Sequence, residues 1–365
     1  MSTFICFLQE DNNTTSAHWH LRFSITPICN YKCLYCNPNG EYDKSRKIIS
    51  FDEARLILQG ALYAGINRVH WTGGEPTVRN DFIELVSYAK SIGFKDQIIT
   101  TNGWRSLSYY ENAISSGLSR INVSLDTLDK NRYKEITGKN NFASVIRVVE
   151  YCANKMSAIT KINAVAMKST LKELEELYLF LKAINSKCDG NRLVLKLISL
   201  SPNNPVFQSH EGLELFRKEN VSDKEIFEAL RRVQPLTRLK TGEVEGDNPN
   251  CRYYKWGLSE QDPIIGVLAM PSWNYQCGND RCKKLRVTPY GEAAVCIQNG
   301  LTRLLHDPNN TVKDVILSLK DQREKLDIEQ PARFHFRSQI GEMRFGKTGS
   351  PTNVDLFNNI AINFK

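Results

Sequence analysis

Three cysteines spaced CxxxCxxC, Cys29, Cys33 and Cys36, hold the densest chemistry in this 365-residue chain. Thiolates are ligands for iron–sulfur clusters, zinc or Cu(I), and three of them leave a four-coordinate centre one position short. A closed structural zinc site wants a fourth Cys or His close by. The next candidate, His70, lies on a different predicted element, so the site reads as open. A second trio, Cys277, Cys282 and Cys296, brackets a hairpin-like TPYGEA turn in NYQCGNDRCKKLRVTPYGEAAVC. Cys251 could add a fourth thiolate and close that second site, and zinc stays open as its metal. Cys6, Cys152 and Cys188 read as isolated structural thiols.

Further polar groups follow predicted strands. TGGEP (Thr72 to Pro76) carries Gly73 and Gly74, which let a backbone come close to a ligand because no Cβ intrudes, and Glu75, a charged partner. TTNG (Thr100 to Gly103) offers Thr101 and Asn102, and NVSLD (Asn122 to Asp126) offers Ser124. Taken singly, these also read as a Gly-rich turn, a plain turn and a helix N-cap.

Strand-like runs at 21–26, 68–72, 97–101, 120–125, 161–167 and 192–198 alternate with segments of helical periodicity such as 51–65, 80–93 and 171–184. Ser50, Asn80 and Thr170 stand where N-caps would, Gly65 and Gly93 where C-caps would. Six β-then-α units predict an α/β fold with a parallel sheet and working loops at the strands' C-terminal ends. The cysteine motif, following the first strand, falls on that face. Five regions are expected: an N-terminal arm over 1–20, the βα domain over 21–200, a polar linker or insert over 201–250 with one helix at 222–233, a C-terminal domain over 251–342 with a helix near 312–325, and an extension over 343–365.

The chain is 41% hydrophobic and 24% charged, ordinary for a soluble globular protein, with a formal net charge of +8. The positives are spread without a run, which argues for an anionic small substrate or a basic surface over nucleic acid. Ten cysteines in this length are too few for a disulfide scaffold, and FICFL near the start is too short for a span. A cytoplasmic enzyme is expected.

The CxxxCxxC motif with Tyr35 before its last cysteine resembles the radical S-adenosylmethionine (SAM) superfamily, and TGGEP, TTNG and NVSLD follow in that family's order. Connective text such as SRINVSLDTLDKNRYKEITG and KINAVAMK narrows the likeness to the GTP 3′,8-cyclase family of molybdenum-cofactor biosynthesis, from Leu21 to about residue 200 and again from about 251 to 300. The resemblance implies a partial (βα)6 TIM-like barrel and a [4Fe–4S] cluster on Cys29, Cys33 and Cys36 whose open iron is chelated by SAM. It implies SAM contacts from Tyr35, Gly73, Gly74, Glu75, Thr101, Asn102 and Ser124. It also implies a second, auxiliary [4Fe–4S] cluster on Cys277, Cys282 and Cys296, a C-terminal domain built around it, and a ferredoxin or flavodoxin as reductant. One electron would cleave SAM to a 5′-deoxyadenosyl radical, which takes a hydrogen atom from the substrate.

Positions that grip a triphosphate in the family correspond here to Arg22, Arg68, Lys161, Lys196, Lys284 and Arg286, with His70 where a basic residue is usual. Lysine is a point charge that cannot make arginine's bidentate fork. Two further departures are on the page. The second trio reads CxxxxC where the family has CxxC, and FRSQIGEM (336–343) resembles the family's Gly-Gly end but carries Glu342 and runs on to Lys365. A purine nucleotide is the expected substrate and radical modification of a ribosomal peptide the alternative, with a precursor-peptide gene next door as discriminator. A zinc-bearing nucleic-acid module without catalysis would hold zinc rather than iron after anaerobic purification.

Overall fold

The computed structural model describes residues 19–36, 45–155, 160–188, 193–200, 204–240, 251–259, 262–268, 283–295, 302–305 and 311–329. The second cysteine trio, FRSQIGEM, the N-terminal arm before Trp19 and the extension lie outside them.

The predicted alternation forms as parallel strands β1 (His20–Ser24), β2 (Arg68–Thr72), β3 (Asp96–Thr101), β4 (Arg120–Ser124), β5 (Thr160–Ala166) and β6 (Leu193–Ser199). Between them run α1 (Phe51–Tyr63), α2 (Phe82–Ile92), α3 (Leu107–Ser116), α4 (Lys130–Thr137), α5 (Phe142–Lys155) and α6 (Leu174–Asn185). Ser50 caps α1 in a full capping box with Glu53, and Gly93 ends α2 in the left-handed region at φ +116°. Asn80 is not a cap. The helix starts at Phe82 behind Asp81, whose carboxylate is taken by the Arg79 guanidinium instead of the helix N–H groups. Thr170 opens a 3₁₀ turn (Thr170–Glu173) ahead of α6.

Beyond β6 the chain holds more structure than its polar composition suggested. Helices α7 (His210–Glu219) and α8 (Asp223–Val233) precede β7 (Leu236–Arg238), β8 (Arg252–Trp256), β9 (Ile264–Leu268), β10 (Lys284–Val287), β11 (Glu292–Ala294) and β12 (Thr302–Leu304). All these strands join the barrel sheet, in the order β12-β11-β10-β1-β2-β3-β4-β5-β6-β9-β8-β7. Strand β10 adds parallel to β1 and β9 parallel to β6, so the C-terminal strands extend both edges of the six-stranded core. The last described helix, α9 (Val312–Glu329), lies on α1, where Lys320 Nζ donates to the Ala64 carbonyl at 2.9 Å.

The sheet has two faces of opposite chemistry. Leu21, Phe23, Val69, Trp71, Ile99, Ile121, Val123, Ile162, Leu195 and Val267 are buried under the helices. Register puts the alternate residues, Arg22, His70, Thr100, Asn122, Lys161, Asn163 and Lys196, on the other face. Neighbouring strands lie about 4.8 Å apart, so β2 and β6 would be some 19 Å apart in a flat sheet. Lys196 nevertheless acts electrostatically on His70, and Arg22 on Lys196. The sheet therefore curls around its polar face, which lines a lumen. At the strands' N-terminal ends Asp96 accepts from Arg68 (2.9 Å) and Arg120, closing that end of the lumen with an ion network.

Among the described residues no helix is long and apolar enough to cross a membrane.

Gln97 shows how tightly the helix-facing side is specified. It is fully buried, accepts from Trp71 Nε1 at 3.1 Å and donates to the Val86 carbonyl of α2 at 2.9 Å. Gln97→Leu strands both partners, and an unpaired buried group costs about 1–3 kcal/mol. The urea midpoint of unfolding is expected to fall accordingly, and an unchanged midpoint would show that the pair carries no stability.

Candidate active site

The loop after β1 and the loop after β2 are pressed together backbone to backbone. A Cβ on Gly73 would lie 2.4 Å from the Thr26 carbonyl oxygen, and one on Gly74 would lie 2.3 Å from that of Ile28. Only glycine fits. In that space Gly74 N donates to Thr26 O at 2.7 Å and Glu75 N to Ile28 O at 2.9 Å, a short ladder immediately before Cys29. Arg79 reinforces it by donating to the Ile25 and Ile49 carbonyls, both at 2.9 Å.

Glu75, 2% exposed, joins this ladder to the third strand. Its Oε1 accepts from Thr77 N (3.1 Å), Thr77 Oγ1 (2.6 Å) and Thr101 Oγ1 (2.8 Å), and its Oε2 from Asn102 N (2.7 Å). Burial pushes its pKa up, while these bonds oppose the shift. The geometry thus gives Glu75 a holding role beyond that of a charged partner for SAM. Thr101, expected as a SAM contact, turns to the helix side, with its hydroxyl on Glu75 and 3.0 Å from Tyr110 Oη. Asn102 donates to Asn30 Oδ1 at 2.9 Å and also bonds the Cys29 thiol, so it reaches the cysteine loop directly. Asn30 was not singled out from the sequence. Its only signal was its place between two ligand cysteines.

On its other side the cysteine loop is stitched to the end of α4, where Leu34 N donates to Ile136 O (2.9 Å) and Lys32 N to Thr137 O (3.4 Å). Tyr35, the aromatic of the motif, donates from Oη to Asp126 Oδ2 at 2.7 Å, and Asn204 Nδ2 donates to the Tyr35 carbonyl at 3.0 Å.

Cys29 and Cys33 are partly buried and Cys36 is exposed. Burial raises the Cys33 thiol, and Asp126, Cys36 and Cys29 add to the shift as anions. The three sulfurs therefore share one neighbourhood, yet among the described residues no three Cys, His, Asp or Glu side chains are gathered closely enough for a single metal ion. Three thiols on one loop, pressed against a glycine-lined backbone cradle, fit a cluster that takes three thiolates.

Behind this loop the lumen is strongly cationic. His20 is pulled down to about 3 by burial and then by Lys284, Arg68, Arg22 and Arg286. His70 is held well below its usual value by burial and then by Arg22, His20, Lys196 and Lys284, and its Nε2 lies 2.7 Å from Thr100 Oγ1. Lys284 and Arg286 reach this group because β10 pairs with β1, with His20 opposite Lys284 and Arg22 opposite Arg286. Arg68 is largely engaged by Asp96 at the lumen's closed end. Lys161 donates to Tyr253 Oη at 3.2 Å. Cys251, raised as a fourth thiolate for the second trio, lies on the lumen face beside Lys196, where both its sulfur and the Tyr253 ring cover Gly266. Ser124 stands on the same face. Two buried oxygens there, Ser24 Oγ and Asn163 Oδ1, have no hydrogen-bond partner among the described residues. Orphaned polar atoms facing a lumen suit a polar ligand, and the alternation of polar with apolar residues along β1 (His20, Arg22, Ser24) and the start of β5 (Lys161, Asn163) was the signal that could have found them.

Two results test this geometry. Gly74→Ala must push apart two backbones, whereas Gly138→Ala, at φ +71° with open space around it, meets only left-handed strain. Overpacking costs about 1–3 kcal/mol or more and the strain about 1–2. Urea unfolding should therefore rank Gly74→Ala as the less stable variant, and only that one should lose iron on reconstitution. The histidines give a pH dependence. Between about 3 and the ordinary value of 6.5 the unfolded chain binds a proton at His20 that the folded chain does not, so His20 opposes stability as pH falls through that window. His20→Gln should flatten the loss of thermal midpoint between pH 6.5 and 5, and a slope equal to wild type would exclude a neutral buried His20.

Comparison with known proteins agrees with this geometry. Residues 23–181 match the Radical SAM superfamily model. A probable GTP 3′,8-cyclase from Methanococcus maripaludis is 36% identical over 189 residues, covering 52% of this chain, and the chain spans 61% of that relative's length. The GTP 3′,8-cyclase of Synechococcus elongatus is 30% identical over 284 residues, covering 76% of this chain and 80% of its own. Among solved structures, Streptococcus suis SuiB bound to S-adenosylmethionine shares the fold at a TM-score of 0.53 and 19% identity, covering 90% of this chain and 71% of SuiB. Native anSMEcpe with bound AdoMet does so at 0.56 and 16%, covering 88% and 85%. Matched cysteine, GGE and strand-end segments on a curled parallel sheet carry one conclusion: the chain belongs to the radical SAM superfamily of enzymes, on the branch that holds the GTP 3′,8-cyclases.

Proposed function

We propose that this enzyme binds a [4Fe–4S] cluster and SAM at the mouth of the barrel and acts on an anionic purine nucleotide held in its lumen, in the manner of a GTP 3′,8-cyclase. The observation that carries the substrate class is the convergence of Arg22, Lys196, Lys284 and Arg286 around two neutral histidines. Guanidinium and ammonium donors gathered on one lumen wall suit a polyanion, and the triphosphate of a nucleotide is such a group.

Cys29, Cys33 and Cys36 would hold the cluster, and together with SAM it would supply the reductive cleavage that starts the radical reaction. The protein's part is positional. The Gly73–Gly74 cradle fixes the loop that carries Cys29, Glu75 locks the loops after β2 and β3 to each other, and Asn102 bonds the first ligand thiol. Ser24, Ser124 and Asn163 would bond SAM or substrate from the lumen wall. Arg22 and Arg286 would fork onto phosphate oxygens, and Lys196 and Lys284 would act as point charges. A second cluster on Cys277, Cys282 and Cys296 belongs to the same proposal, as does a ferredoxin or flavodoxin reductant.

The test is anaerobic reconstitution, dithionite reduction, and assay of 5′-deoxyadenosine and nucleotides with SAM, with and without GTP. Wild type should form 5′-deoxyadenosine, GTP should raise its rate, and a cyclised nucleotide should appear. Cys33→Ala should abolish cleavage, while Cys282→Ala should keep cleavage and lose product. Cleavage that ignores GTP would retain the radical enzyme and move the substrate elsewhere, to another nucleotide or a ribosomal peptide. Cleavage surviving in Cys33→Ala would overturn the cluster assignment.

A further inference from the structure

Asp126 holds the cysteine loop through Tyr35, and the substrate and cofactor reading leaves it without a role. It follows Ser124 by two residues, past the end of β4, and is 4% exposed. One oxygen, Oδ1, accepts from Val165 N of β5 at 2.7 Å; the other, Oδ2, accepts from Tyr35 Oη at 2.7 Å. Among the described residues no lysine or arginine pairs with it. Its charge reaches Cys33, where it is the largest influence after burial itself. A buried carboxylate with two neutral donors and no cation is an expensive arrangement, one that an amide or a hydroxyl could replace if only a hydrogen bond were needed.

The loop it holds has a second anchor in this chain. Asn204 donates to the Tyr35 carbonyl, and Leu34 and Tyr35 pack against Ile136, Met167, Leu200, Phe207, Leu213 and Phe216. Packing and the α4 hydrogen bonds therefore already restrain the backbone. What Asp126 adds is the link from the tyrosine side chain to β5 and, above the value of about 6 to which burial pushes its carboxyl, a negative charge beside Cys33.

We propose that Asp126 is a positioning and tuning residue: through Tyr35 it sets the cysteine loop against β5, and its unpaired charge keeps the reduction potential of a cluster on Cys29, Cys33 and Cys36 low. Iron–sulfur potentials follow net charge, hydrogen bonding and solvent access around the sulfurs. Adding an electron beside an uncompensated anion is disfavoured, so the reduced cluster becomes a stronger donor, which is what reductive cleavage of a sulfonium requires. The inference rests on the cluster reading above and deepens it.

Three variants separate the two roles in the full chain, reconstituted anaerobically. In Asp126→Asn the amide carbonyl can still accept from Val165 N and the amide NH₂ can donate to the Tyr35 oxygen, so both links survive without the charge. Asp126→Ala removes links and charge together. Tyr35→Phe removes the link and keeps the charge. Readouts are iron and sulfide content, thermal midpoint, and a redox titration of the electron-paramagnetic signal that changes when SAM is added. That last criterion singles out the SAM-binding cluster from any second one.

Asp126→Asn should load iron like wild type and titrate at a higher potential. At a fixed solution potential its ratio of reduced to oxidised cluster should rise roughly tenfold, the scale of one nearby charge acting at an effective dielectric of about 20. Asp126→Ala and Tyr35→Phe should each lose at least half of the SAM-responsive signal at a thermal midpoint that still reports a folded chain. The signal that remains in Tyr35→Phe should keep the wild-type potential. A wild-type potential in Asp126→Asn overturns the tuning role, and full loading of Asp126→Ala overturns the positioning role. A wild-type protein with no SAM-responsive signal would overturn the cluster reading itself, and this inference with it.

Discussion

Everything at the mouth of this barrel depends on two backbones approaching each other closer than any side chain would allow. The Gly73–Gly74 segment lies against Thr26 to Ile28 with no room for a Cβ, and two hydrogen bonds run through the gap. That approach fixes where the chain enters the cysteine motif, and it carries Glu75 inward, where two donors from its own loop and two from the end of β3 converge on its carboxylate. A buried carboxylate left short of donors would be costly. Satisfied as it is here, it serves as a rivet through the loops after β2 and β3. Cys29 is thus placed by glycine geometry and Asn102 by Glu75, and the two meet at one thiol. Precision at the ligand loop comes from backbone contacts, which vary less than side-chain packing does.

The lumen obeys a different constraint. Its outer wall is a dense apolar layer under the helices, which tolerates a polar inner wall because the curled sheet separates the two. On that inner wall Arg22, Lys196, Lys284 and Arg286 face one another with two histidines kept neutral between them. Asp96 answers Arg68 and Arg120 at the closed end. Gathering so many like charges on one wall is a local conflict of the kind expected at functional sites.

Much of this was legible from residues alone, because the local pattern and the final structure agree where the chain is most regular. The run at 68–72 is a strand at those same residues, and Ser50 caps its helix with Glu53 as the spacing requires. Where reading failed, a tertiary partner had taken over a local role. Asp81 gave its carboxylate to Arg79, so the α2 cap was lost. The bonds of Thr101 to Glu75 and Tyr110 are likewise not written in its neighbours along the chain. Helix α7 escaped notice because its apolar positions are few, and they find their partners in a cluster with Ile136, Met167, Leu200 and Phe207 from elsewhere in the chain. Asp126 was visible merely as the end of NVSLD. Nothing in its neighbours along the chain announces Tyr35, which lies 91 residues away.

The strongest non-local effect is the return of the C-terminal strands to the barrel. A chain that ended its sheet at β6 would carry Arg22 and Lys196 but neither Lys284 nor Arg286. By adding β10 in parallel beside β1, the fold sets His20 level with Lys284 and Arg22 level with Arg286, doubling the charge along one edge. By adding β9 beside β6, it brings Gly266 opposite Lys196 and leaves space there for Cys251 and Tyr253. The wall facing β1 is therefore built for charge, and the wall facing β9 mixes two ammoniums, Lys161 and Lys196, with a thiol and an aromatic ring. A polyanion would meet guanidinium forks on one wall and ammoniums beside the ring on the other. The two lumen walls differ because the chain closes the sheet with unlike strands on either side.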